Sequence, residues 1–148
     1  MKTLWDDTAR ASLMTRFEAL SADSKPKWGK FNAPQMVQHC LGSIRAFLDE
    51  LTLTPPTSSI LKVGLIRHAV IYWLPFPKGA PTAPELLAPP EGDFPALVGK
   101  LRDALGRIAE RNRQGPFSPH PAFGQLTNDD VGVLIHKHLN HHLDQFGK

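Results

Sequence analysis

Half of the fourteen prolines in this 148-residue chain lie between Pro75 and Pro95, and that clustering limits the fold more than any other feature. A proline breaks a helix that runs through it and cannot donate to a sheet ladder. No regular element is therefore expected to cross this stretch. The chain must set its elements on either side and join them by an extended, low-entropy connection. Long connections inside compact domains tend to be lids or contact arms, so residues 75–95 are expected either to cap a pocket or to serve assembly.

On both sides of the prolines the apolar residues recur at helical spacing. A first helix is expected from Asp7 to Leu20, with Leu13, Phe17 and Leu20 on one stripe. A second opens at Asn32, a good N-cap, with Pro34 in its first turn, where a missing N–H costs nothing. Its core face runs through Met36, Val37, Cys40, Leu41, Ile44, Leu48 and Leu51, and Pro55-Pro56 closes it. A third starts at Asp93 with Pro95 in its first turn and carries Leu97, Leu101, Leu105 and Ile108 on one face. A fourth opens at Thr127, where Thr-Asn-Asp-Asp resembles a capping box, and runs almost to the C-terminus. The densely apolar residues 58–74 predict an extra helix that ends before Pro75. No long alternation of β-branched residues signals a strand. The expectation is a single all-α domain over residues 1–148, a four-helix bundle with a helical and proline-rich insert between helices two and three.

At 41% apolar and 21% charged residues, a chain of this length can bury a real core. One cysteine, Cys40, excludes an intrachain disulfide framework and a CxxC-type zinc site. The start of the chain turns acidic before a signal-peptide core could form. The apolar stretch from Ile60 to Leu74 is too short to span a bilayer and carries Lys62, Arg67 and His68. A cytoplasmic protein with no membrane partner is expected. The net charge is only +3, and its densest basic stretches are Lys25, Lys27 and Lys30 around Trp28 and Arg102, Arg107, Arg111 and Arg113. Nucleic-acid surfaces carry a stronger stripe than this, so these read as solvated faces and no nucleic-acid partner is expected.

Histidine is where the sequence turns to chemistry: five of seven fall after residue 119. His138 and His142 are four apart, so on a helix they share a stripe about 6 Å apart. Val131, Leu134, Ile135, Gln145 and Phe146 lie on that same stripe, the one a bundle buries. Two imidazoles aimed inward are costly unless partnered. A shared cation is one solution, since His-x-x-x-His matches the bite of zinc or a similar metal. A solvated helix end is the other, with the histidines set against the negative end of the dipole. A third ligand would come from another helix. His39 is the candidate, at the edge of its helix's apolar face, about 130° from the middle by helical rotation; alone it reads equally as a partly exposed histidine bonded to a loop carbonyl. Cys40 points about 100° away from it and reads as a small core residue.

Several motifs in fixed order resemble the DinB/YfiT-like superfamily, in an uncharacterised bacterial branch. They are Trp28-Gly29-Lys30, Ala33-Pro34-Gln35-Met36-x-x-His39, His120-Pro121-x-Phe123-Gly124-x-Leu126-Thr127 and His138-x-x-x-His142-Leu143-x-Gln145-Phe146-Gly147. The resemblance implies a four-helix bundle, often a homodimer, with a divalent metal held by three histidines. Carried onto this chain those are His39, His138 and His142. Relatives often bear a tryptophan early in the last helix, where this chain has Asp130-Val131-Gly132. The superfamily includes thiol-dependent transferases and isomerases, in which the metal is thought to activate a low-molecular-weight thiol, and some metal-dependent hydrolases.

The expectation is a metal-dependent transferase or hydrolase acting on a small molecule, with zinc or nickel in the site and iron as a further candidate. The alternative is a non-catalytic, stress-associated dimeric domain whose metal stabilises the fold. Around the three ligands, Gln145 is placed to orient a bound water or ligand, and His141 to face the site or a dimer partner. Ser43 lies on the edge shared with His39, and His120 is placed to reach the pocket mouth as a proton carrier. His68 and His136 read as surface histidines. No carboxylate is placed as a general base, since Glu50 lies about 16 Å along the axis from His39.

Overall fold

The computed structural model describes residues 1–148. It is all-helical, with α1 (Asp7–Glu18), α2 (Ala33–Phe47), α3 (Gly64–Tyr72), α4 (Phe94–Arg111) and α5 (Asn128–Gln145). Single 3-10 turns lie at Ile60–Lys62, Pro84–Leu87 and Asn112–Gln114, and the β-type pairing is one isolated bridge between His120 and Gly124. α1 packs on α4 and α5, α2 packs on the same two, and α3 lies against α5.

The helix starts follow from local chemistry. Asn32 accepts from the Gln35 N–H while Gln35 Oε1 accepts from the Asn32 N–H, both at 2.9 Å, which closes a capping box at α2. Thr127 and Asp130 do the same at α5, at 3.1 and 3.0 Å. Asp6 caps α1 and Asp93 caps α4, with Pro95 inside its first turn. Each such cap contributes about 1 kcal/mol.

The end of α2 differs from the expectation. The helix stops at Phe47, not at the Pro55-Pro56 pair, because the chain closes a Schellman turn first. The Glu50 N–H donates to the Arg45 carbonyl at 2.9 Å and the Asp49 N–H to Ala46 at 3.3 Å, with Asp49 at φ 60°. Asp49 is the one non-glycine residue in the left-handed region, which a short polar side chain tolerates. Leu51 is therefore half-buried beyond the helix instead of on its core face.

Residues 58–74 also differ from a single helix. An extended Val63 separates the 3-10 turn from α3, and of α3 only Ile71 is buried. This element is held by polar ties: Tyr72 donates to Asp130 at 2.8 Å, and Arg67 donates to the Phe123 and Gln125 carbonyls at 3.2 and 3.0 Å. The Lys137 ammonium caps the α3 C-terminus through the carbonyls of Val70, Ile71 and Leu74.

The core joins 29 buried apolar residues, among them the expected stripes Leu13–Phe17–Leu20 and Leu97–Leu101–Leu105–Ile108. Burying one such side chain is worth about 1.5–3 kcal/mol. The N-terminal segment crosses α5 where Gly132 leaves a gap: a Cβ there would lie 2.4 Å from both Thr3 Oγ1 and Trp5 Nε1. Trp5 Nε1 donates to the Asn128 carbonyl at 2.8 Å. Aromatic cover on this part of α5 thus comes from the N-terminal segment. The arginines of α4 and of the turn after it are engaged, Arg102 with Glu18, Arg107 with Glu50, Arg113 with Glu110 and Arg111 with the Gly115 and Pro116 carbonyls, so they form no open cationic stripe. No helix is long and apolar enough to cross a membrane.

Candidate metal centre

α2 and α5 bring three imidazoles to one point. His39 projects from the second turn of α2, and His138 and His142 sit one turn apart near the end of α5. Their Nε2 atoms converge, His39 to His138 at 2.9 Å and His142 to His138 at 3.1 Å. His39 and His142 are buried, at 5% and 8% exposure, and His138 is half-buried.

At the border of its helix face, where it was expected to share the core with solvent, His39 is buried. The 3-10 turn Pro84–Leu87 packs over that edge. Gly42, three residues after His39, makes room for it: a Cβ at Gly42 would come within 3.1 Å of the Leu86 side chain. The Leu86 carbonyl then lies 3.4 Å from His39 Nδ1. The second helix alone leaves this histidine at an edge, and the insert buries it.

The outer bonds set the tautomers. A carbonyl oxygen only accepts, so His39 Nδ1 carries the proton directed at Leu86 and its Nε2 presents a lone pair. His142 Nδ1 lies 2.9 Å from Gln145 Oε1. The Gln145 amide is itself oriented, because its Nε2 donates to the Trp28 carbonyl at 2.9 Å. That assigns Oε1 to His142, whose Nε2 is again a lone pair. Two lone pairs therefore face the single His138 Nε2, and one proton can serve only one of them. A cation among the three nitrogens satisfies all of them. With bonds of about 2.0–2.1 Å, two nitrogens on one ion lie about 2.9–3.4 Å apart at octahedral to tetrahedral angles, and both observed separations fall in that range. The residues fit a divalent ion, and the cluster could hold one. The set holds no fourth protein ligand.

Burial keeps the donors neutral. It lowers His39 to about 4 and His142 to about 3 from an ordinary 6.5, the latter with a further push from His39. His138 is held well below its usual range by burial first and then by the neighbouring histidines. Each ring therefore offers its lone pair without first losing a proton.

Other residues singled out in the sequence take different roles. Gln145 bridges His142 and Trp28, its Oε1 on the ring and its Nε2 donating to the carbonyl, so it orients a ligand ring. Gly29, at φ +82°, permits this contact, since a Cβ there would lie 2.4 Å from Gln145 Nε2. His141 lines the site edge-on, its ring 5.3 Å from His142 and 6.2 Å from Trp28. Ser43 bonds back to the His39 carbonyl at 2.9 Å and is not brought into the cluster. His120 lies between Phe47 and Phe123, with Nδ1 accepting from the Ala122 and Phe123 N–H groups at 3.1 and 3.3 Å. It borders a cleft of about 210 Å³ that also includes Asp49 and Ser118. Burial lowers it to about 4.

Cys40 is fully buried with its thiol pushed up by burial, 3.7 Å from the Met36 sulfur. His136 is buried at 8%, not at the surface, because the N-terminal segment and α1 close over that side of α5, where the charges of Lys2, Arg16 and Asp6 reach it. His68 is exposed, beside Tyr72 and Trp73. Glu50 is spent on Arg107.

The walls were not foreseen from the sequence. Phe31 lies 5.2 Å from His39 and 6.1 Å from His142; Phe76 lies 6.1 Å from His138 and 6.0 Å from His141. The flanking prolines of Phe76 and the lysines around Trp28 were the available signals, and neither has a period that points to a pocket.

Fold and site together define a helical protein with a cluster of three histidines able to bind a metal ion. The chain belongs to the family described as protein of unknown function DUF1569, whose model matches residues 6–148. Neither a curated protein nor a solved structure matches it significantly.

Proposed function

We propose that this protein is a metal-dependent enzyme of the DinB/YfiT-like superfamily, transferring a low-molecular-weight thiol to a small molecule or hydrolysing one. His39, His138 and His142 are the ligands of one divalent ion, zinc or nickel ahead of iron. What carries the reading is the convergence of three Nε2 atoms, two with their lone pairs turned inward by bonds at Nδ1. An ion bound there supplies Lewis acidity, lowering the pKa of a thiol or water and polarising a carbonyl. The protein's own part is preparation. Leu86 and Gln145 fix ring orientation, burial keeps the donors neutral, and Phe31, Phe76 and Trp28 restrict the approach of water. Three neutral donors leave the remaining positions for exchangeable ligands.

The closed ring in which α1 meets α4, α4 meets α2, α2 meets α5 and α5 meets α1 supports a four-helix bundle in one domain. α3 and the proline-rich strap are additions to it. The protein works in the cytoplasm as a homodimer, without nucleic-acid or membrane partners.

The burial of His39 and His142 favours a second reading, a non-catalytic dimeric domain whose metal stabilises the fold. Azide or thiol binding to the metal-loaded protein separates the two, because a closed structural site takes up neither. Elemental analysis of wild type beside His142→Ala tests the foundation of both. About one metal per chain in the wild type and little in the variant is expected. No metal in either after reloading would sink the proposal.

A further inference from the structure

We infer that the site takes an anionic ligand and that Lys78, on the proline-rich strap, pairs with its negative group at the mouth; this rests on the metal reading above. The first observation is the charge of the surroundings. An imidazole that gives its lone pair to an ion brings no charge with it, and the three rings are bonded to a carbonyl, an amide and one another, with no carboxylate among their partners. The acids that might have served are spent elsewhere: Asp144 on Arg16 and Asn140, Glu91 on Arg45 and Lys100, Glu85 on Thr54. A divalent ion here keeps its full double charge, in a setting of low dielectric where uncompensated charge is costly. A negatively charged ligand would offset that charge.

The second observation is where free positive charge stands. Lys137 lies 4.9 Å from the Phe76 ring centre, but its ammonium donates to three carbonyls at the end of α3 and has no hydrogen left for a ligand. Lys78 differs. Its Nζ rests 4.3 Å above the Trp28 ring, it is exposed, and it makes no ion pair or hydrogen bond.

A line of ring contacts joins it to the cluster: Trp28 touches His141, and His141 touches His142 and Phe76. The strap places Phe76 against His138 and, two residues on, Lys78 against Trp28, so one short segment supplies both an apolar wall and a charged rim. The exposed lysines of the Trp28 loop, Lys25, Lys27 and Lys30, form no ion pair and add to the same field. A ligand that fits has a soft or oxygen donor for the ion, a small apolar body between the aromatic walls and a carboxylate or similar anion at its outer end.

The test uses cobalt-loaded protein and two thiols of the same length, 3-mercaptopropionate ending in a carboxylate and 3-mercaptopropionamide ending in a neutral amide, each titrated by the cobalt absorption spectrum. The carboxylate should bind about threefold to fivefold more tightly than the amide, the range of an exposed ion pair, and high salt should erase the difference. Lys78→Met should bind cobalt and the amide as wild type does and lose the preference; Lys78→Arg should keep most of it. Equal affinities in the wild type, or a preference that survives in Lys78→Met, would overturn the inference while the metal reading stands. Cobalt uptake with no spectral response to either compound would overturn it too. A protein that takes up no cobalt overturns the metal reading and this inference with it.

Discussion

α2 and α5 carry the three histidines at places set by helical periodicity, whereas residues 48–93 carry no ligand and still shape the centre. The two helices are capped at both ends and buried along their stripes. The insert buries only Leu53 and Ile71 and leaves Ile60, Val63, Leu65, Trp73, Leu74 and Leu87 exposed. It nevertheless gives His39 its orienting carbonyl, His138 its aromatic wall and the mouth its free lysine. Position and orientation of His39 thus have separate sources. Position comes from the well-packed helices; the orientation of His39 comes from the strap laid over it, while His142 is oriented by Gln145 of its own helix. Regions of low local stability are where binding loops and lids are drawn from, and the strap has that character.

The largest expected effect that sharpens this contrast is acid denaturation of the metal-free protein. His39 and His142 ionise at about 4 and about 3 in the fold against 6.5 in the free side chain. Through that interval the unfolded chain binds protons that the folded chain refuses, so acid favours unfolding. Stability should hold above about pH 6.5 and fall by several kcal/mol as pH drops from there towards about 4 for His39 and about 3 for His142, where the loss levels off. Urea unfolding at stepped pH measures this, and a flat profile would mean the rings are not buried neutral.

Metal comes next. At free ion a thousandfold above its Kd the fold should gain about 4 kcal/mol, or roughly 10 °C in melting temperature. Scanning calorimetry with and without chelator reads it, and an unchanged melting temperature counts against a site built into the core.

Gln145→Leu leaves His142 in place and removes its orienting partner. Metal affinity should fall about 10–100-fold in a competition titration with a chelating dye. An unchanged affinity would show that the Trp28–Gln145–His142 chain only packs.

Replacing residues 80–90 with a glycine–serine segment of the same length divides the two regions directly. Metal should bind about tenfold more weakly, while stability changes by about 1 kcal/mol. The opposite result, a large loss of stability with an intact site, would make the strap a structural brace and end the contrast drawn here.

Leu65→Ser should have the smallest effect, within about 0.5 kcal/mol, because its side chain faces solvent in the single chain. Melting that depends on protein concentration in the wild type but not in this variant would reveal a second copy seated on α3.

Much of the architecture could be read from local pattern. The capping residues Asn32, Asp93 and Thr127, the apolar stripe of α4 and the shared face of His138 and His142 all rest on interactions within four residues, which helical geometry repeats faithfully. The end of α2 could not be read in this way, because an aspartate took the left-handed position usually marked by glycine. His136 was misplaced because the segment that buries it lies more than a hundred residues earlier in the chain.

The sequence by itself determined where the helices begin, which faces they bury and that His138 and His142 share one stripe of α5. Only the tertiary structure decided that His39 would be buried, that Gln145 would tie His142 to Trp28, and that Phe76, Lys78 and Trp28 would meet above the cluster. The reason is physical. Periodicity acts through neighbouring turns of one helix, while the path of a proline-rich strap is set by what it can pack against. Gly42 opens a seat for Leu86, Glu91 is tied to Arg45 and Lys100, and neither contact leaves a repeating mark in the chain.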